Sequence, residues 1–178
     1  MTGYAPLPIP PTALGELRDR DDAGRPPEPF TAREDGVPLR CVGSPLRCCL
    51  RPIEPGERVA LVSYAPLRRW AAAVGADPGA YDEVGPVFVH VEECGGPRDV
   101  RGYPFARPGA LRTLRRYDAA GHIVGGALFE IPEDSRAGFD RALDEAFAHP
   151  EVEVVHVRAL EYGCFHFEVR RPAGSARS

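Results

Sequence analysis

One stretch constrains this chain more than any other. In residues 134–148, Phe139, Ala142, Leu143, Ala146 and Phe147 recur at i, i+3, i+4, i+7 and i+8, forming one apolar stripe along a helix. Asp134 or Ser135 can cap its start, and His149-Pro150 stops it. A stripe of that width must be buried against another layer, and the segments around it read as strands. Residues 111–117 and 122–131 flank the turn Asp118-Ala119-Ala120-Gly121, predicting a hairpin. Residues 152–160 and 164–170, joined near Gly163, predict two more strands. The C-terminal order is therefore β-α-β-β.

Upstream, residues 57–64 are β-branched and apolar after the turn signal Glu54-Pro55-Gly56. Residues 87–94 follow Gly85-Pro86 and read as a buried strand. Residues 66–75 fit one or two helical turns closed by Gly75, with a loop to residue 79. The expectation is an α+β fold: a largely antiparallel sheet with one main helix, at about 134–148, covering a face.

A chain of 178 residues can bury a core as one domain, placed here at residues 30–172. Residues 1–29 hold seven of the 20 prolines, the run Asp19-Arg20-Asp21-Asp22, and neither Cys nor His. They read as a poorly ordered arm, strapped along the surface by Tyr4, Leu7 and Ile9. Residues 173–178 read as a disordered tail. No internal repeat is visible. No apolar run reaches bilayer length and no leader pattern opens the chain, so the expected location is cytoplasmic, with no membrane partner. Five cysteines in a reducing compartment should then be thiols or ligands rather than a disulfide framework.

Composition excludes several chemistries. The chain has no Lys, Asn or Gln. It cannot form a Schiff base, supply a P-loop lysine, or orient a catalytic His through a side-chain amide. A net charge of −4 argues against nucleic acid as a partner. Arg112, Arg115 and Arg116 make a local basic patch, read as a solvated face.

The chemistry-bearing residues cluster around two segments. The first, residues 47–64 (RCCLRPIEPGERVALVSY), places Cys48 and Cys49 before a Pro-Gly loop. In the second, strand alternation over residues 87–94 sets Phe88, His90, Glu92 and Cys94 opposite Val87, Val89 and Val91. The same alternation in the last strand sets Cys164, His166 and Glu168 opposite Phe165, Phe167 and Val169, so that two His, Glu and Cys sets on separate strands could meet.

Three sites are compatible with these residues. Cys48 or Cys49 with His90 and Cys94 offers thiolate and imidazole to zinc, though without a paired CxxC spacing. Cys49 with His90 as base and Glu92 as orienter forms a nucleophilic triad, with Arg47 favouring the thiolate. Arg47, Cys48, Tyr64, His90 and Tyr117 form a set that would hold a small anion, with Tyr81 a further hydroxyl. The bland counterparts are cysteines that merely fill core space and an Arg47 paired with Glu54, Glu57 or Glu92. His156 reads as a satisfied strand histidine, His122 as exposed, His149 as a helix-end cation and Trp70 as packing over the sheet edge.

The segments PLRCCLRPIEPGERVALVSYAP, YDEVGPVFVHVEEC and LRRYDAAGHIVGG, in this order, resemble the bacterial domain-of-unknown-function family 1203. The resemblance covers about residues 30–170 and implies no activity or cofactor. It implies Pro-Cys-Arg followed two residues later by Ser or Cys. Leu46 stands where that first Cys would be, while Arg47 and Cys49 match. At His90 the family carries Arg or His. Cationic character at His90 would then matter more than imidazole, which favours anion binding around Arg47, Cys49 and His90 over zinc or nucleophile. The Gly85-Pro86 turn and Asp118 in the hairpin keep their default reading as structural. The expected function is binding, with or without transformation, of a small anionic molecule. The alternatives are a non-catalytic accessory or interaction protein docking through its proline-rich arm, and a zinc-binding or Cys-nucleophile enzyme.

Overall fold

The computed structural model describes residues 3–36, 40–98 and 102–172; the tail expected at 173–178 lies outside them. The fold is α+β. Its elements run α1 (Pro11–Asp19), β1 (Phe30–Thr31), β2 (Pro45–Leu46), β3 (Arg51–Pro52), β4 (Arg58–Tyr64), α2 (Pro66–Val74), β5 (Gly85–His90), β6 (Leu111–Tyr117), β7 (Ile123–Glu130), α3 (Ser135–Phe147), β8 (Val154–Ala159) and β9 (Phe165–Arg170). None of the described helices is long and apolar enough to cross a membrane.

The strands divide into two sheets where the sequence suggested one. The C-terminal sheet is antiparallel throughout, in the order β7-β6-β8-β9. Its β7-α3-β8-β9 connection is the expected β-α-β-β order. Asp134 accepts a hydrogen bond from the Ala137 N–H at 3.0 Å and so caps α3. The helix buries Phe139, Leu143, Ala146 and Phe147 against Leu114, Val155, Val157, Phe167 and Val169 of the sheet. The predicted stripe and the predicted layer thus meet.

The N-terminal sheet has the order β1-β4-β5-β2-β3, antiparallel except where β2 runs parallel to β5. Helix α2 leaves β4 and ends at Gly75, whose φ of 73° is the left-handed conformation that glycine adopts without penalty. Leu67, Trp70 and Ala71 of α2 pack on Tyr117 and Val154, so Trp70 lies on the face of the C-terminal sheet rather than at its edge.

The N-terminal arm departs from its expectation. Tyr4 stacks on Phe147 at 5.4 Å, the Leu7 N–H donates to the Glu168 carbonyl, and the Ile9 N–H donates to the Arg47 carbonyl. These contacts are the strap. Beyond them the chain forms α1 with Pro11 in its first turn, where a missing N–H costs nothing, and buries Ala13, Leu14 and Leu17 among Val59, Val62, Val87 and Val89. Proline density suggested disorder because the stripe of a nine-residue helix is short and its burial is entirely non-local. The strap spans both sheets, pairing with β9 on one side and with the residue after β2 on the other.

Arg112 also differs from its reading as part of a solvated face. It is buried, and its guanidinium donates to the carbonyls of Phe105 and Leu111. Arg115 pairs with Glu83.

If α1 is core, Leu17→Ala should lower the unfolding free energy in urea by about 2–5 kcal/mol, the cost of a large-to-small change at a fully buried site. A dispensable arm would give a change within about 0.5 kcal/mol.

Candidate metal centre

Adjacent side chains on an extended strand point to opposite faces, so Cys48 and Cys49 can share a site only where the chain is not extended. After β2 the backbone makes one helical turn. The Leu50 N–H donates to the Leu46 carbonyl at 3.0 Å, and Leu50 itself has φ 56°. A non-glycine residue in this left-handed region costs about 1–2 kcal/mol, and strain of this kind concentrates at functional sites. Both sulfurs face inward, Cys48 with 1% and Cys49 with 7% exposure.

The parallel register then supplies the histidine. Leu46 pairs with Phe88 and the Arg47 N–H donates to the Phe88 carbonyl at 3.0 Å, so the turn that starts there brings Cys48 beside His90. The Cys48 Sγ lies 3.3 Å from His90 Nδ1, and the Cys49 Sγ lies 3.8 Å from the same atom. The two sulfurs are 3.9 Å apart, and the His90 backbone N–H donates to Cys48 Sγ at 3.4 Å. Cys94, on the loop after β5, completes the group. The ligating atoms of Cys48, Cys49, His90 and Cys94 all lie within 4.8 Å of one another.

The other ring nitrogen is held by a residue the triad reading did not include. His90 Nε2 lies 3.1 Å from Glu57 Oε1. Glu57 is in turn fixed by a two-pronged pair with the Arg51 guanidinium and by the Glu54 N–H at 2.8 Å. A carboxylate on Nε2 favours the tautomer with the proton there and leaves the Nδ1 lone pair turned to the three sulfurs. Arg51 beside it holds the Glu57 carboxyl down at about 2.

The two adjacent thiols divide their proton unequally. Sharing a hydrogen bond with Cys49, together with burial, pushes the Cys48 thiol well above the ordinary range. That same bond, with His90 and Arg51 nearby, draws Cys49 below it. Cys49 is therefore where a first thiolate forms.

The remaining predicted site residues lie elsewhere. Residues 87–94 do not run as one strand: β5 ends at His90, so the alternation that aligned Glu92 with His90 stops there. Glu92 is 79% exposed beside Arg58, 4.0 Å away, and does not orient His90. The anion set is scattered. Arg47 is buried, its guanidinium donating to the carbonyls of Phe165, at 2.7 Å, and Pro45. It has no carboxylate partner among the described residues, and burial lowers its pKa to about 10. Its side chain serves the seam between the sheets. Tyr64 lines a hollow against α2, and Tyr117 is fully buried in the C-terminal sheet with its ring 4.7 Å from His156. Tyr81 packs its ring near His122, 5.6 Å away.

The second Cys, His and Glu set does not join the first. A register shift opposite Val157 and Arg158 breaks the alternation of β9. His166 is left against the Phe105 ring, while Glu168 lies 3.4 Å from His156. Cys164 is partly exposed near the Tyr162 carbonyl. The signal that could have found Glu57 is the Pro-Gly turn at residues 55–56, which starts β4 next to β5. Nothing local in the sequence shows that β4 and β5 are neighbours.

The surface beside the cluster is acidic. Glu57, Glu92 and Glu93, with Arg58, line a shallow cleft that reaches His90 and Cys94. This charge suits a cation and opposes an anion.

A family model described as "Protein of unknown function (DUF1203)" matches residues 43–171. No curated protein and no solved structure matches the chain.

The Glu57 network sets an acid limit on the site. Its folded pKa lies near 2 against an ordinary value of 4.5, so its stabilisation is complete above about pH 4.5 and is lost as pH falls through 2. Glu57→Gln should remove about 2 kcal/mol at pH 7 and flatten the decline of stability between pH 4.5 and 2, measured by urea unfolding across that window. An unchanged acid limb would mean that Glu57 is not held in this way.

Proposed function

The chain belongs to that family, whose description carries no activity, and we propose from the site itself that it is a zinc-binding protein with a Cys3His centre. The ligands are Cys48, Cys49 and Cys94 as thiolates and His90 through Nδ1. The observation that carries this reading is the mutual spacing of the ligating atoms. Tetrahedral zinc, with Zn–S of about 2.3 Å and Zn–N of about 2.0–2.1 Å, requires ligand edges of about 3.5–3.8 Å. Among Cys48, Cys49 and His90 the edges are 3.3, 3.8 and 3.9 Å, and the Cys94 sulfur lies within 4.8 Å of each. The Glu57 carboxylate on Nε2 is the outer partner that a ligating histidine ordinarily has.

Four protein ligands fill the coordination of zinc, which makes the centre structural rather than hydrolytic. It would tie together three segments built by separate parts of the chain: the turn between β2 and β3, the end of β5, and the loop carrying Cys94. Bound metal displaces the proton that Cys48 and Cys49 otherwise share and removes the cost of a buried thiolate. The acidic cleft favours this reading over the anion site, as does the diversion of Arg47 to backbone carbonyls.

A second reading rests on the same geometry: Cys49 as a thiolate nucleophile with His90 as base and Glu57 as orienter. It is favoured by the depressed pKa of Cys49 and by its greater exposure relative to Cys48.

Protein purified without chelator should carry about one zinc per chain, falling to background in Cys49→Ser and His90→Ala. Cobalt substitution should give intense thiolate-to-metal absorption and the visible bands of a tetrahedral ion. Iodoacetamide should label Cys49 only after chelation. Substoichiometric metal that Cys49→Ser leaves unchanged would end the zinc reading. Rapid labelling of Cys49 at pH 7 in protein as purified would establish the nucleophile instead.

A further inference from the structure

A sheet edge leaves a row of backbone N–H and C=O groups without partners, and folds ordinarily shield it. Among the described residues, three of the four edges of the two sheets are shielded. β9 is bridged by the strap, where Leu7 pairs with Glu168. β1 and β3 are two residues long, and β3 ends in Pro52, which has no N–H to offer. Where β4 runs on past β1, the backbone of Ser63 is met by Asp21 and Asp22. The fourth edge, β7, has none of these guards.

β7 runs for eight residues, Ile123–Glu130, at the end of the C-terminal sheet, and no described strand lies on its outer side. From Ile123 to Phe129 it carries neither charge nor proline. Its apolar side chains stand in water: Leu128 is 64% exposed, and Ile123 and Val124 are each 37% exposed. The Ile131 N–H donates to the Ala110 carbonyl, and the Ile131 carbonyl accepts from the Gly109 N–H, so both groups of Ile131 face the chain that enters β6. Alternation then turns the N–H and C=O of Leu128 and Gly126 outward. A protein satisfies such a row by laying another strand along it, which fixes the chemistry of what pairs here.

The strand is complementary to its own reverse. Antiparallel pairing of two copies about a two-fold axis at Gly126 sets Gly126 opposite Gly126, so that two outward-facing residues exchange hydrogen bonds. Val124 then meets Leu128, and the contact occurs twice, joining the exposed apolar side chains across the seam. His122 meets Glu130, an imidazole opposite a carboxylate, both exposed. Within residues 122–130 no like charges fall opposite one another. The register shift between β6 and β7 falls at Val124, which β6 skips, so the ladder from Gly125 to Glu130 is regular.

We propose that the chain forms a homodimer through β7, joining two four-stranded sheets into one across a two-fold axis at Gly126. The pairing covers Leu128 and Val124 and gives the outward N–H and C=O groups their partners. β7 shares no residue with the thiol cluster, so the dimer does not depend on the zinc reading.

Sedimentation velocity of the full chain should show reversible monomer–dimer exchange at micromolar concentrations. In the unmodified chain, the amides of Gly126 and Leu128 should gain protection from hydrogen exchange as the dimer fills. Leu128→Glu should raise the dissociation constant at least about tenfold, because it sets a charge against Val124 at two symmetric positions. Leu128→Glu combined with Val124→Arg in one chain should return the constant to within about threefold of its unmodified value, since each Glu then faces an Arg of the other copy. The two positions lie about 13 Å apart along one strand, too far to pair within a chain. Both are exposed, so the fold should tolerate either change, which circular dichroism checks. A monomer at every concentration, a dimer whose Gly126 and Leu128 amides stay unprotected, a dimer indifferent to Leu128→Glu, or a double variant no tighter than Leu128→Glu alone would each overturn the proposal.

Discussion

Two neighbouring side chains reach one point only if the backbone between them turns, and the helical turn closed by Leu50 meets that requirement. Everything at the thiol cluster follows from it. The turn reverses β2 into β3, directs both sulfurs inward, and brings Arg51 round to clamp Glu57. Its left-handed residue is strained, and the strain persists because the surroundings fix it from both ends. Leu46 is locked into the β2–β5 register on one side, and Leu50 packs towards the core beneath α3 on the other.

The same turn sits at the seam of the molecule. Arg47, its first residue, sends its guanidinium across to the Phe165 carbonyl of β9, while its own carbonyl receives the Ile9 N–H of the strap. A buried guanidinium satisfied by carbonyls fixes direction without the carboxylate that a salt bridge would bury beside it. Helix α1 adds a second tie, with Arg18 donating to the carbonyls of His90 and Glu92 at the end of β5. The strap, the seam and the cluster are therefore one mechanical unit.

Charge separates the chemical readings of the cluster. The sequence emphasised cations, Arg47 and His90, and so pointed to an anion. In the fold Arg47 turns away, and the cleft at His90 is lined by Glu57, Glu92 and Glu93 against the one cation Arg58. With the thiols behind it, the imidazole stands between sulfur and carboxylate, an environment suited to a soft cation. The Cys3His grouping is a property of this chain, which has all four side chains.

Local periodicity was enough to place α3, the β6–β7 hairpin, α2 with its closing Gly75, and the two C-terminal strands. Each of these is stabilised by contacts whose pattern repeats within one segment. Residue chemistry was likewise enough to nominate Cys48, Cys49, His90 and Cys94, because few side chains ligate soft metals. What no segment could disclose was adjacency. That β2 runs parallel to β5 made Cys48 the neighbour of His90, and that β4 lies beside β5 made Glu57, rather than Glu92, its orienting carboxylate. The end of β5 at His90, the shift in β9 and the burial of the proline-rich arm were also decided non-locally. Hydrogen-bond register and burial are set by whichever strand or helix arrives from elsewhere in the chain, and a one-residue change in register reverses which face a side chain occupies.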